Sequence, residues 1–86
     1  MPNATAPKAP VSEIRTFHVF AAQDGGRHGH DIEGMSFEDA ALTFVETFHP
    51  PADADGDIDV IVIAADNGRQ QCFRVDVGSG EALPCG

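Results

Sequence analysis

Histidine is the residue that most invites a chemical interpretation, with four copies in 86 residues. His28 and His30 are separated by one glycine, and a strand would place both imidazoles on one side. Imidazoles and carboxylates are common metal ligands, so we consider a metal site formed by His28, His30 and Asp31. His18 would lie on the opposite face of the predicted hairpin. The competing interpretation of the pair is a solvated polar edge strand.

Four aspartates occupy alternate positions from Asp53 to Asp59. This spacing is similar to the start of an EF-hand calcium loop. However, Ile58 stands where that loop needs glycine, and Ala64 stands where it needs a bidentate glutamate. An aspartate-rich turn before a strand is therefore the interpretation that we adopt, and we predict no cofactor.

Cys72 and Cys85 could bridge neighbouring strands as a disulfide, or remain reduced as is usual in the cytosol. If Gly78-Ser79 forms a two-residue turn, the chain returns beside the preceding strand and Cys85 lies opposite Cys72. The sequence contains no CxxC motif, which is the pattern that would indicate redox chemistry.

Composition and the absence of catalytic motifs favour a non-enzymatic protein. Ser36 and Ser79 fall at a predicted cap and turn without an identifiable histidine partner, and no glycine-rich loop precedes the predicted helix. A net charge of −9 repels nucleic acid. No apolar segment approaches the roughly 20 residues of a membrane span, and the first residues lack the pattern of a signal peptide. We expect a cytoplasmic protein that binds neither nucleic acid nor membrane.

The element that the sequence defines most clearly is a hairpin over residues 57–77, with Asn67-Gly68 at its tip. This dipeptide is typical of a two-residue type I′ turn, in which both central residues have positive φ. Such a tip predicts a core face on which Ile58 opposes Val77, Val60 opposes Val75, and Val62 opposes Phe73.

The remaining elements follow from periodicity and turn signals. We predict a first strand over 14–22 and a polar return strand over 27–33, joined at either Asp24-Gly25 or Gly25-Gly26. Phe17 opposes Ile32 in the first case, and Val19 opposes Ile32 in the second. An amphipathic helix begins after Ser36 and ends at His49-Pro50-Pro51. Its apolar positions are Phe37, Ala41, Phe44, Val45 and Phe48.

These elements predict an α+β domain over 14–86, preceded by a disordered tail over 1–13. Its antiparallel sheet has four strands, and one helix packs on one face of the sheet. Along the chain the elements follow the order strand-strand-helix-strand-strand. A short fifth strand forms if residues 81–86 return along the sheet. The other face would carry Phe20, Ile61 and Ile63, which we interpret as an interaction surface. A second copy, a basic protein partner, the tail or the C-terminal segment could cover it.

The sequence resembles two known families, one over a short segment and one over the whole chain. The segment 34–40, Gly-Met-Ser-Phe-Glu-Asp-Ala, is similar to the start of the helix in small HicB-like antitoxin domains. The whole chain, including Cys72-Phe73-Arg74 and Pro84-Cys85-Gly86, resembles small bacterial proteins of a family of unknown function. Neither resemblance implies an activity. The sequence therefore predicts a small acidic interaction module that forms a homodimer. The alternative is a metal-binding protein that uses His28 and His30.

Overall fold

The computed structural model describes residues 14–85, so the predicted tail over 1–13 lies outside the described residues. The described chain forms β1 (Arg15–Ala21), β2 (His30–Gly34), α1 (Phe37–Phe48), β3 (Asp57–Ala64), β4 (Gln70–Asp76) and β5 (Glu81–Pro84). A single 3₁₀ turn over Ala22–Asp24 follows β1.

The five strands form one antiparallel sheet in the order β2-β1-β3-β4-β5, and α1 packs on one of its faces. The α+β class, the antiparallel sheet and the covering helix confirm the prediction. The segment after β4 does return along the sheet, so the sheet has five strands and not four.

The core lies between α1 and the sheet because side chains alternate between the two faces of each strand. In β3, Ile58, Val60, Val62 and Ala64 are buried, while the intervening residues are only partly buried. α1 contributes four buried residues to the same core: Ala40, Ala41, Phe44 and Val45. Phe37 is partly buried against this core, and Phe48, predicted on the same stripe, is 43% exposed at the end of the helix.

Both ends of α1 match the predicted signals. The Oγ of Ser36 accepts the N–H of Asp39 at 3.0 Å, and the Asp39 carboxylate accepts the N–H of Met35 at 2.9 Å. At the other end, His49 adopts a left-handed conformation (φ 49°) and donates its N–H to the carbonyl of Val45. Pro50 follows immediately and cannot continue the helix.

The predicted register of the β3–β4 hairpin is wrong by two residues. Ile58 opposes Val75, Val60 opposes Phe73, and Val62 opposes Gln71. Within residues 14–85 His49 is the one non-glycine residue with positive φ, so Asn67 cannot occupy a type I′ turn. Instead the Asn67 side chain accepts the N–H of Arg69 at 2.9 Å, and the loop between the strands is longer.

The β1–β2 hairpin has one of the two predicted registers but a different connection. Phe17 opposes Ile32, as the Asp24-Gly25 alternative requires. The predicted two-residue tip is absent from the described chain, because the 3₁₀ turn and further turn residues separate the strands. As a result β2 begins at His30 and not at residue 27, and His28 lies in the loop.

Replacing Phe44 with alanine should bring the domain close to unfolding. Loss of a buried phenyl ring costs about 3 to 5 kcal/mol, and the net stability of a domain can be as low as about 5 kcal/mol. Urea denaturation followed by circular dichroism measures the change. The matched control, Phe48→Ala, removes an exposed ring and should cost much less. Equal losses in the two variants would contradict this placement of the core.

Candidate functional site

The side of the sheet opposite α1 is the principal candidate surface, and we call it the open face. It consists of alternate residues of the five strands, beginning with Thr16, Asp31, Asp57, Gln70 and Glu81. No helix or strand within residues 14–85 packs on this face. The open face is therefore a broad surface that no other helix or strand of residues 14–85 covers.

An apolar row crosses the centre of the open face from β1 to the end of β5. Phe20 opposes Ile61, and Ile61 opposes Cys72 on the next strand. Cys72 is joined to Cys85 by a disulfide with a Cα–Cα distance of 5.2 Å. We define the apolar row as Phe20, Ile61 and this disulfide. The sequence left the redox state of the two cysteines open.

Two further apolar side chains flank the row. Ile63 lies beside it on β3, opposite His18, and Leu83 lies beside it on β5, opposite Arg74. Leu83 is 57% exposed, whereas Phe20, Ile61 and Ile63 are partly buried by their neighbours. The structure thus brings together all three residues predicted as an interaction surface.

Charged residues lie at both ends of the open face, on either side of the apolar row. Asp31 and Glu33 mark one end at the β2 edge, and the Nδ1 of His18 lies 3.0 Å from a carboxylate oxygen of Asp31. At the other end, Asp57 and Asp76 oppose each other on β3 and β4. Both ends of the open face are therefore acidic around an apolar centre.

Arg74 is the cation that partly neutralises the second acidic end. Its Nε donates to Asp59 at 3.0 Å, and its Nη1 lies 4.0 Å from Asp57. The hydrogen bond to Asp59, followed by the charge of that carboxylate, raises the pKa of Arg74 above its ordinary value. Arg74 is thereby held over the charged end of the sheet.

Asp53, in the loop before β3, and Asp57, the first residue of β3, have opposite pKa shifts because their surroundings differ. The Asp53 carboxylate accepts the N–H groups of Asp57 and Asp55, and chiefly the first of these bonds lowers its pKa. Burial raises the pKa of Asp57, and the nearby charges of Asp53 and Asp76 add to this effect. Asp53 therefore acts as the hydrogen-bonding side chain of a turn, as predicted from its sequence context.

The three residues of the predicted metal site do not converge. His28 lies in the β1–β2 loop, 3.6 Å from Asp24. His30 lies on the helix side, where its ring stacks on Phe48 with 3.7 Å between centroids. Asp31 points to the open face. Within residues 14–85 no three His, Cys, Asp or Glu side chains gather in a group that could hold a metal ion.

Clefts lie at the edges of the domain, and two of them share Pro51 in their linings. One, of about 330 Å³, lies between the 3₁₀ turn and the start of β3 and is lined by Gln23, Pro51 and three aspartates. The other, of about 260 Å³, lies at the end of α1 around His30, Phe48 and Pro50. The second lining contains three histidines, and neither lining contains a serine, cysteine or lysine.

These features define a small α+β domain in which one helix covers one face of a five-stranded antiparallel sheet. Residues 15–86 match the family model of DUF5961, a family of unknown function, and the chain belongs to this family. The predicted resemblance to a family of unknown function is confirmed, and the HicB-like resemblance stays a prediction. No curated protein and no solved structure matches the chain. No helix among the described residues is long and apolar enough to cross a membrane.

The opposite pKa shifts of Asp53 and Asp57 can be measured by a carboxyl-detected NMR titration. We expect the midpoint of Asp53 below the ordinary aspartate value and that of Asp57 above it. Asp76→Asn removes a neighbouring negative charge, so it should lower the pKa of Asp57. A midpoint for Asp57 at or below that of Asp53 would contradict this geometry.

Proposed function

We propose that the chain is a non-catalytic protein-interaction module that forms a two-fold homodimer through its open face. The observation that carries this proposal is the apolar row, which crosses a sheet face that no helix or strand of residues 14–85 covers. Apolar side chains collected on one exposed surface commonly mark a contact with another protein.

The size of the open face limits the strength of this dimer. Five strands spaced about 4.8 Å apart, with a mean length of about 20 Å, give a face with a projected area of roughly 500 Å² per copy. Stable complexes typically bury about 800 Å² on each partner. We therefore propose a weak dimer whose population depends on protein concentration.

Charge complementarity favours a second copy in one particular arrangement. Arg27 in the β1–β2 loop and Arg69 in the β3–β4 loop are exposed, and neither forms an ion pair with another described residue. The two loops lie at opposite ends of the antiparallel sheet. A two-fold axis along the apolar row would bring Arg27 towards Asp31 of the partner subunit and Arg69 towards Asp76 of the partner subunit. Each acidic end then meets a cation.

The other occupants predicted from sequence remain outcomes of the test. A basic partner protein would also suit the acidic ends, and the predicted tail over 1–13 is a further candidate to cover the apolar row. The C-terminal segment instead forms β5 within the sheet. The alternative of a metal-binding protein that uses His28 and His30 gains no support from their positions on different parts of the domain.

Ile61→Lys should abolish the dimer, because the axis along the row places the two copies of residue 61 against each other. Sedimentation velocity of the full chain up to millimolar concentration measures the association, and thermal unfolding verifies the fold. The matched control, Met35→Lys, changes a side chain that is 62% exposed outside the open face and should leave the dimer intact. A wild-type monomer at every concentration would contradict the proposal.

A charge exchange tests the arrangement independently of the apolar row. Arg27→Asp should weaken the dimer several-fold, because it places like charges together twice in each dimer, at roughly 0.2 to 1 kcal/mol for each exposed pair. Combining Arg27→Asp with Asp31→Arg should restore the association measured by sedimentation. A double variant that is no stronger than Arg27→Asp alone would overturn the proposed axis.

A further inference from the structure

The disulfide joins a residue of the open face, Cys72, to Cys85, which directly follows β5. Cys72 lies opposite Ile61 in the apolar row. Cys85 follows β5 directly and donates its backbone N–H to the carbonyl of Cys72 at 2.9 Å. The same bond therefore supplies apolar surface to the row and fastens the C-terminal strand to β4.

Apart from this bond, β5 is weakly attached. It has four residues, and they pair with β4 from Glu81, which lies opposite Asp76, to Pro84, which lies opposite Phe73. Ala82 is the residue of β5 that packs against the core cluster, and Leu83 is 57% exposed. Pro84 has no N–H to donate to a ladder. Short edge strands with few buried contacts open at low free-energy cost unless they are tied down.

We propose that the Cys72–Cys85 disulfide is a redox-controlled latch on the dimerisation surface. The intact bond holds β5 and Leu83 on the sheet and completes the open face. Reduction releases β5, removes the end of the apolar row, and weakens the dimer. This inference rests on the proposed function, since the regulated surface is the open face.

A dithiol is the class of reductant that opens the latch. One of its thiolates attacks a cysteine sulfur, the Cys72–Cys85 bond breaks, and a mixed disulfide forms. The second thiol then displaces the remaining cysteine. The dithiol gives up two electrons and two protons and becomes a cyclic disulfide, while Cys72 and Cys85 become two thiols. The position of the bond at the edge of the sheet, with Cys85 only partly buried, leaves it accessible to this attack.

Opening the latch also changes the edge of the sheet. With β5 in place, the outer side of β4 is paired from Phe73 to Asp76. Once β5 leaves, the N–H and C=O groups along that side of β4 lose their partners and β4 becomes the edge strand. Reduction thus alters both the face and the edge of the sheet.

The test compares the oxidised and dithiothreitol-reduced full chain by sedimentation velocity, with amide hydrogen exchange as a second readout. We expect faster exchange after reduction at Leu83 and Cys85, whose N–H groups face β4, and a dimer roughly tenfold weaker. The control is the Cys72→Ser/Cys85→Ser double variant, which should match the reduced wild type in both buffers.

Two other outcomes distinguish a failure of the redox control from a failure of the proposed dimer. Equal dimer affinities in the two redox states, with the bond shown to be reduced, would overturn the latch and leave the proposed function intact. A monomer in both states at every concentration would overturn the proposed function together with the latch.

Discussion

The whole structure depends on the contact between one helix and one face of the sheet. α1 has 12 residues, which makes it about 18 Å long, and it packs against a sheet of five strands about 4.8 Å apart. On the covered face, Phe44 belongs to the same buried core as small and branched side chains such as Val60 and Val62. A single helix cannot cover both faces, so the domain has a mixed apolar and charged surface on its other side.

The sequence predicts this two-sided arrangement well because side-chain alternation is a local property of a strand. The β3–β4 register is wrong by two residues, yet every side chain of β3 stays on its predicted face, since a shift of two preserves the alternation. The shift comes from the turn. Asn67 was expected to adopt positive φ, but its side chain instead accepts a backbone N–H and stabilises a longer loop.

Long-range contacts of the side chains were beyond the sequence argument. The stacking of His30 on Phe48 depends on where the end of α1 meets the start of β2. The ion pair between Arg15 and Asp66, 3.0 Å apart, joins residues that no local pattern relates. Predicting that His28 lies in a loop would need the length of the β1–β2 connection, which no local pattern provides. The central members of the open face were predicted because they follow from alternation alone.

The central claim is that a second copy of the chain covers the open face. An isotope-filtered NOE experiment on a mixture of labelled and unlabelled oxidised protein, at millimolar concentration, tests it most directly. We expect intermolecular contacts at Phe20, Ile61 and Ile63, and none at residues of α1. Intermolecular contacts confined to α1, or none at any concentration, would contradict the account.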